Sequence, residues 1–387
     1  MIETCLEGFK KIFGDGGEIR SFFAPGRVNL IGEHTDYNGG HVFPCALTIG
    51  TYACVRKRDD RRLNFYSLNF EDLGVISLSL DDISYKKEHN WVNYPMGIVS
   101  TLKEDGMEIN QGFDIVYYGT IPNSSGLSSS ASIEVLTCYV LKSLYGFEID
   151  NINNALIGQR AENNYIGVNC GIMDQFAIAM GKKDHAIFLD TATLNYEYAP
   201  IDLAGAKIVI MNTNKKRGLG DSKYNERRAE CEEALAELKT KVDIASLGQL
   251  TEEEFEVEKH LIGSYVRQKR AKHAVYENQR TIKAVKALKD GDLALFGKLM
   301  IASHDSLRDD YEVTGIELDT LVSEGLKQEG VIGARMTGAG FGGCAVAIVK
   351  EENVDDFIKN VGAAYEKEIG YAADFYVVEI GDGPREL

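Results

Sequence analysis

The sequence has no long apolar run, no closely spaced cysteine pair and no excess of basic residues. None of its stretches approaches the roughly 20 consecutive apolar residues that a membrane-spanning helix needs. The first residues also lack the apolar core of a secretory signal peptide, because Lys10, Lys11 and Asp15 interrupt them. A net charge of −17 disfavours the basic face with which proteins grip nucleic acids. We therefore expect a cytoplasmic protein that binds neither membranes nor nucleic acids.

The seven cysteines are odd in number and scattered, and no two of them form a Cys-x-x-Cys pair. This pattern favours reduced, buried thiols over a disulfide framework or a zinc site. Hydrophobic residues make up 44% of the chain and charged residues 26%, as is typical of a globular protein. A chain of 387 residues is too long for one ordinary core and predicts about two or three domains. Because Pro200 to Gly205 is the best candidate for a joint, we divide the chain into lobes of residues 1–200 and 201–387.

The periodicity of apolar residues predicts helices and strands that do not alternate regularly as β-α-β units. Helices are predicted over 2–13, 91–102, 133–144, 151–166, 172–177, 221–241, 268–288, 292–306, 315–328 and 353–369. Strands are predicted over 52–56, 63–67, 75–80, 113–118, 186–189, 206–211, 343–349 and 375–380. This order indicates an α+β protein with two lobes and mixed sheets.

One stretch near the amino terminus, residues 24–41, concentrates polar groups between Pro25-Gly26 and Gly39-Gly40. Its charged and titratable residues are Arg27, Glu33, His34 and Asp36. Because its apolar residues are too few to form a helix or strand face, we interpret the whole stretch as a binding loop. Carboxylates accept hydrogen bonds from hydroxyls and arginine only donates, so the set suits a polyhydroxylated ligand. The alternative is a surface loop whose charges pair with one another.

The segment Gly126-Leu-Ser-Ser-Ser-Ala131 follows a predicted strand and a proline-containing turn and runs into a helical pattern. Unpaired N–H groups and the positive end of the dipole at a helix start attract phosphate, and serine hydroxyls add donors or a ligand for Mg²⁺. The segment is not a Walker A loop, because the Gly-Lys-Ser/Thr ending is missing. We interpret it as a phosphate cradle; the alternative is a run of N-capping serines without a ligand.

Glycines at 338, 340 and 343 satisfy the pattern G-x-G-x-x-G. A dinucleotide-binding fold requires a helix after them, whereas the strand-like Cys344 to Val349 follows here. The segment therefore predicts a strand, a glycine turn and a second strand whose backbone can approach a ligand closely, or else a flexible hairpin tip. Asp174 stands near a predicted helix start, where it either caps the helix or, beside Arg27, stays ionised to orient a hydroxyl or accept its proton.

These three motifs together resemble those of the GHMP small-molecule kinases. Gly26 to Gly40 is similar to the galactokinase signature of that family, Pro122 to Ala131 to the second family motif, and Thr337 to Gly343 to the third. The resemblance spans nearly the whole chain. It implies a two-lobed GHMP kinase fold, with an N-terminal lobe like domain 2 of ribosomal protein S5 and a ferredoxin-like C-terminal lobe. It also implies ATP-dependent phosphorylation of α-D-galactose at the C1 hydroxyl, the first step of the Leloir pathway.

By the family pattern, Asp174 is the catalytic base, and Arg27 lies beside it and steadies charge on the transferring phosphoryl group. The resemblance implies sugar contacts by Glu33, His34, Thr35, Asp36 and Tyr224. It implies nucleotide contacts by Ser67, Ser124, Ser125, Gly126, Leu127, Ser128, Ser129 and Ser130. It assigns Mg²⁺ to Ser130 and Glu162. The chain departs from the family where Asn123-Ser124-Ser125 replaces a usual glycine, and residues 303–311, also family-like, predict a hydrogen-bond network at a helix end.

Three alternatives stay open at this point. The same chemistry could act on another sugar, such as N-acetylgalactosamine or arabinose. A non-catalytic sensor could keep the scaffold to bind galactose and ATP, although it need not keep Arg27, Asp174, Ser130 and Glu162 together. A mevalonate-type kinase is disfavoured, because the acidic loop suits hydroxyls and not a carboxylate substrate. We expect a monomer.

Overall fold

The structure, a computed structural model, describes residues 1–122, 126–215 and 220–387. The helices within these ranges are α1 Ile2–Phe13, α2 Asn93–Glu104, α3 Ser129–Tyr145, α4 Asn151–Arg160, α5 Met173–Ala179, α6 Gly220–Leu238, α7 Glu252–Glu258, α8 Tyr265–Lys289, α9 Leu293–Ser306, α10 Gly315–Leu326 and α11 Val354–Ile369. The strands are β1 Arg20–Asn29, β2 His41–Val42, β3 Pro44–Lys57, β4 Arg62–Ser67, β5 Ile76–Ser79, β6 Phe113–Gly119, β7 His185–Asp190, β8 Tyr196–Pro200, β9 Ala206–Asn212, β10 Val331–Thr337, β11 Cys344–Lys350, β12 Asp374–Val378 and β13 Arg385–Glu386. Among the described residues, no helix combines the length and the apolar character that crossing a bilayer requires.

The strands form three sheets. The largest has the order β13-β1-β3-β6-β4-β5 and is antiparallel except for the parallel pair of β4 and β6. A second, antiparallel sheet has the order β10-β11-β9-β12, and a small third sheet has the order β2-β7-β8. The mixed sheet predicted from the apolar pattern is thereby confirmed.

Three large hydrophobic clusters fill the space around these sheets. One lies between the first sheet and helices α2 to α5, and one between the second sheet and the helices of the C-terminal half. A third joins the two halves, because Val28, Phe43 and Leu47 pack there with Ile208, Phe296 and Val346. The two halves of the chain therefore share this apolar core.

The predicted boundary between residues 200 and 201 falls in the connection between β8 and β9 and remains a proposal. Strands β1 to β8 precede it and β9 to β12 follow it, but β13 returns to the first sheet and pairs with β1 at Phe22 and Phe23. Arg20 in β1 and Glu386 in β13 add a two-point ion pair across this edge.

The prediction that all of residues 24–41 form a loop is wrong for the segment from Ala24 to Asn29 and for His41, which begins β2. This segment is the end of β1 and pairs with β3 on both sides of a register shift between Pro25 and Arg27. Such an irregularity lets a strand contain a proline, which cannot donate to the ladder. The local count of apolar residues was misleading, because Val28 belongs to the shared core of the two lobes. The loop begins only after Asn29.

Candidate active site

A cavity of about 200 Å³ lies where the loop after β1, the start of α3 and the turn between β10 and β11 meet. Its lining includes most of the sequence-predicted site residues, namely Arg27, Glu33, His34, Asp36, Gly126, Ser128, Ser129, Ser130, Glu162, Asp174 and Tyr224. Residues from the three motifs, separated by more than 300 positions in the chain, therefore surround one space.

Arg27 and Asp174 form a bidentate ion pair in this cavity. Nε and Nη2 of Arg27 donate to the two carboxylate oxygens of Asp174 at 2.9 and 3.0 Å. The guanidinium is buried, whereas the Asp174 side chain keeps 33% of its surface exposed toward the cavity. The pair holds a carboxylate in one orientation with a free face, which suits it to align a substrate hydroxyl.

The segment before α3 contacts both members of this pair. The remaining nitrogen of Arg27, Nη1, donates to the carbonyl oxygen of Gly126 at 2.7 Å, and the Ser128 hydroxyl donates to Oδ2 of Asp174. Ser128 is the N-cap residue of α3, but its side chain makes no capping hydrogen bond. The serine run therefore does not act as a simple cap at Ser128, and Ser129 and Ser130 open the helix beside the cavity. This geometry favours the phosphate-cradle interpretation.

Glu162 lies in a π-helical turn that continues α4 over Ala161–Ile166. Its Oε2 atom accepts a hydrogen bond of 2.7 Å from Nε2 of Gln175, which also donates to Oε2 of the fully buried Glu134 at 3.0 Å. Burial and, next, the charge of Asp174 raise the pKa of Glu162 to about 7. A carboxyl group in such a place is readily protonated near neutral pH, and a bound cation would favour its charged form.

The residues here fit Mg²⁺. Ser130 and Glu162 offer hard oxygen donors, and Oε1 of the buried Glu134 behind them has no hydrogen-bond partner among the described residues. Within residues 1–122, 126–215 and 220–387, no cluster of three His, Cys, Asp or Glu side chains could cage a metal. Mg²⁺ commonly takes one or two protein ligands and completes its shell with water and substrate phosphates, so a two-residue set suffices.

The loop after β1 presents Glu33 and Asp36 to the same cavity. Oε1 of Glu33 accepts hydrogen bonds from the Gly338 N–H at 2.8 Å and from Nη1 of Arg335 at 3.3 Å. Oδ2 of Asp36 accepts from the Met173 N–H at 3.3 Å. Burial and, next, the charge of Asp174 raise the pKa of Asp36 to about 6.

His34 and Tyr224 form the aromatic side of the cavity. Nδ1 of His34 is 2.8 Å from the Tyr37 hydroxyl, and Nε2 is 3.2 Å from the carbonyl oxygen of Ala339. Burial lowers the pKa of His34 to about 3, so the imidazole is neutral near pH 7. The Tyr224 ring, on α6, lies 5.7 Å from the His34 ring.

Three predicted residues do not line the cavity. Thr35 is fully buried, and its hydroxyl donates to the carbonyl oxygens of Gly32 and His41. These hydrogen bonds stabilise the loop after β1 on the side away from the cavity. Ser67, at the end of β4, accepts a hydrogen bond from the Asn69 N–H. Leu127 packs in the shared core, and its carbonyl accepts from the Arg27 N–H. Ser124 and Ser125 lie outside the described residues.

The prediction of a strand, a glycine turn and a strand around the third motif is confirmed by β10 and β11. A Cβ atom on Gly340 would lie 2.3 Å from the carbonyl oxygen of Val313, which explains the glycine there. The hydrogen-bond network predicted for residues 303–311 is also confirmed. Ser303 donates to Glu277, His304 accepts from the Met336 N–H, and Tyr311 is bonded to Tyr37.

Sequence reasoning missed the buried groups behind the cavity, namely Glu134, Gln175, His273, Glu277 and Arg335. Arg335 carried a signal, because it is a charge among the apolar residues of a predicted strand. The helical residues Gln175, His273 and Glu277 carried none, since nothing in their spacing distinguishes them from solvated positions.

Models of known families match three parts of the chain. The galactokinase galactose-binding signature matches residues 7–57, the N-terminal domain of GHMP kinases residues 93–182, and the C-terminal domain residues 284–367. The galactokinase of Clostridium beijerinckii is 62% identical over 100% of this chain and 99% of its own length. The galactokinase of Ligilactobacillus salivarius is 58% identical over 98% of each chain.

Solved structures agree with these matches. A crystal structure of Lactococcus lactis galactokinase complexed with galactose superposes with a TM-score of 0.98, at 53% identity and with 100% of each chain covered. A mevalonate kinase superposes with a TM-score of 0.64 at 21% identity, covering 94% of this chain and 99% of its own, which shows a shared fold. The predicted two-lobed GHMP kinase fold is thereby confirmed, and the chain belongs to the galactokinase family.

Proposed function

We propose that this chain transfers the γ-phosphoryl group of ATP to the C1 hydroxyl of α-D-galactose, giving galactose 1-phosphate and ADP. The observation that carries this proposal is the bidentate pair of Arg27 and Asp174, which lies between the acidic loop after β1 and the serine-lined start of α3. The relatives and the galactose complex described above support galactose as the acceptor.

The sugar would lie against the loop after β1. Glu33 and Asp36 are acceptors for sugar hydroxyls, while the neutral His34 and the Tyr224 hydroxyl add polar contacts on the aromatic side. Thr35 contributes indirectly, because its buried hydroxyl stabilises the loop that carries these groups.

The phosphates of ATP would lie at the start of α3. The N–H groups of the first turn and the hydroxyls of Ser129 and Ser130 are donors there, and the helix dipole favours negative charge. We propose Gly126 and Ser128 as further contacts, with Ser67 on the nucleotide side. Ser124 and Ser125 stay predictions.

Ser130 and Glu162 would hold Mg²⁺. When bound, the ion would supply positive charge that balances the negative charge developing during transfer. Gln175 keeps one oxygen of Glu162 fixed by hydrogen bonding, so that the carboxylate is already oriented.

Phosphoryl transfer passes through a loose transition state, so that the protein contributes mainly position and charge. Asp174 aligns the C1 hydroxyl with the γ-phosphorus and takes its proton as the new O–P bond forms. The bond from the γ-phosphorus to the bridging oxygen breaks, and ADP leaves with that electron pair. Arg27 fixes Asp174 and, with the donors at the start of α3, stabilises the oxygens of the transferring group.

We also propose a cytoplasmic, monomeric enzyme. None of the seven cysteines, all of which lie within the described residues, forms a disulfide bond, which suits a reducing compartment. The oligomeric state can be measured by light scattering on the purified chain.

A coupled assay of ADP release tests the proposed reaction against its rivals. Galactose, N-acetylgalactosamine, arabinose and mevalonate are offered with ATP and Mg²⁺, and the product is identified by phosphorus NMR. We expect turnover with galactose and phosphorylation at C1. Binding of galactose without ADP release would indicate a sensor, and a higher kcat/KM for another acceptor would overturn the substrate assignment.

A further inference from the structure

The C-terminal half of the chain holds Glu33 at both its side chain and its backbone. Gly338 and Arg335, from the β10–β11 region, donate to Oε1 of the carboxylate. From α8, Oε1 of Glu277 accepts hydrogen bonds from the N–H groups of Gly32 and Glu33 at 3.0 and 3.3 Å. His273 binds the Glu33 carbonyl through Nε2 at 3.1 Å. Such a set of contacts leaves the carboxylate little freedom.

Arg335 is the largest fully buried side chain of this region, with none of its surface exposed. Its Nη1 atom donates to the Asn29 carbonyl at 3.0 Å as well as to Glu33, and its Nε atom donates to the Ser303 hydroxyl at 3.2 Å. Nη2 lies 3.9 Å from Oε1 of Glu277, within the range of an ion pair but too far for a hydrogen bond. Arg335 does not line the cavity, so it cannot touch a bound sugar.

The charges around Arg335 alternate in sign. Arg280 pairs with Glu277, Glu277 lies next to Arg335, and Arg335 pairs with Glu33. A buried charge without a partner is strongly destabilising, whereas an alternating row leaves each charge compensated. This row begins in α8 and ends at the carboxylate that faces the cavity.

We propose that Arg335 is a positioning residue for Glu33: it fixes Oε1 from behind, so that the rest of the carboxylate is presented to a galactose hydroxyl. This inference rests on the proposed function, in which Glu33 contacts the sugar. It assigns the sugar affinity in part to a side chain that belongs to the opposite lobe and lies outside the cavity.

The first variant is Arg335→Lys, which keeps the positive charge but loses the planar fork. Loss of one charge-assisted hydrogen bond at the binding group predicts a rise of about tenfold in the KM for galactose. The KM for ATP should stay within about twofold of wild type, because the start of α3 is untouched. The matched control is Arg270→Lys, since Arg270 is also buried and also pairs with two carboxylates, Glu230 and Glu312, neither of which is Glu33.

A cycle of variants separates positioning from general destabilisation. In a Glu33→Gln background, Arg335→Lys should change the galactose KM by less than about twofold, because the partner it acts on is already altered. If Arg335→Lys does not fold, as judged by thermal unfolding, Ser303→Ala removes the acceptor of Arg335 Nε together with the donor to Oε1 of Glu277, and it should raise the galactose KM about threefold.

An unchanged galactose KM in whichever of these variants folds, or an equal effect with and without Glu33→Gln, would overturn the inference. The wild-type enzyme separates the two proposals. If wild type does not phosphorylate galactose, the proposed function is wrong. If wild type does so but the variants give one of the outcomes above, only the inference on Arg335 is wrong.

Discussion

Gly171 lies directly against the carboxylate of Asp36. A Cβ atom added to Gly171 would lie 2.0 Å from Oδ2 of Asp36 and 2.3 Å from its Cγ, far closer than non-bonded atoms of these types approach. The segment before α5, which carries Asp174, therefore sets the position of a loop residue that is distant in the chain.

Gly171→Ala should weaken sugar binding. The added methyl group must displace the Asp36 carboxylate, and we expect the KM for galactose to rise about tenfold while the KM for ATP changes little. The control is Gly16→Ala, where a Cβ would meet nothing within 4 Å. A Gly171→Ala enzyme with wild-type galactose affinity by calorimetry would show that Asp36 does not contact the sugar.

Asp174→Asn should abolish turnover while sugar binding survives in part. The amide keeps the shape of the side chain but cannot take the hydroxyl proton, and it pairs less well with Arg27. We expect kcat to fall by about 10³-fold or more, measured by ADP release. Near-normal kcat in a folded variant contradicts the role assigned to this residue.

Galactose affinity should depend on pH through Asp36. Burial and the neighbouring Asp174 raise its pKa to about 6, so the carboxylate loses its charge, and with it the stronger acceptor, as the pH falls through 6. His34 cannot cause this change, because burial lowers its pKa to about 3. Calorimetric titrations with galactose between pH 5 and 8 should show weaker binding below pH 6, and Asp36→Asn should remove the inflection.

The same raised pKa has a consequence for folding. Because the folded state holds the Asp36 proton more tightly than the unfolded chain does, the contribution of this group to stability is largest below about pH 4 and is lost as the pH rises through 6. Asp36→Asn should therefore flatten the pH dependence of the unfolding free energy over this interval, as measured by urea titration. An unchanged slope would argue against the shift.

Glu162→Gln should raise the Mg²⁺ concentration required for half-maximal activity by about tenfold. The amide retains the hydrogen-bond geometry but gives the ion no negative charge. Binding of Mn²⁺ in the presence of ATP, followed by electron paramagnetic resonance, gives a measurement independent of turnover. Glu197→Gln, on an exposed side chain paired with Lys289, serves as the control.

Local sequence signals were sufficient where one element determines its own structure. The helix Ile2–Phe13 was predicted with its bounds, because apolar spacing and the following Gly14 act within a few residues. The glycine turn after β10 was predicted for the same reason, since glycine turns depend on short-range chemistry. The helix α3 was predicted over 133–144, although it begins four residues earlier, at Ser129.

The errors occurred where partners distant in the chain decide the outcome. Ala24 to Asn29 look loop-like in isolation, and only the pairing with β3 makes them a strand. The roles of Glu277 and Arg335 depend on contacts with Gly32 and Glu33, more than 240 positions away. The resemblance to the family predicted that Arg27 lies beside Asp174. No local pattern predicted the buried charges that contact the loop after β1.

Strand β13 and the apolar core shared by the two halves connect the lobes so closely that we do not expect a cut at residue 200 to give independent domains. Phe22 and Phe23 pair with residues near the carboxyl terminus, and Val28 and Phe43 are covered by side chains from beyond residue 201. Fragments cut at residue 200 would each expose a wide apolar surface, which favours aggregation over independent folding. We therefore expect the two lobes to unfold as one cooperative unit, so that reconstitution would require both pieces to be present while they fold.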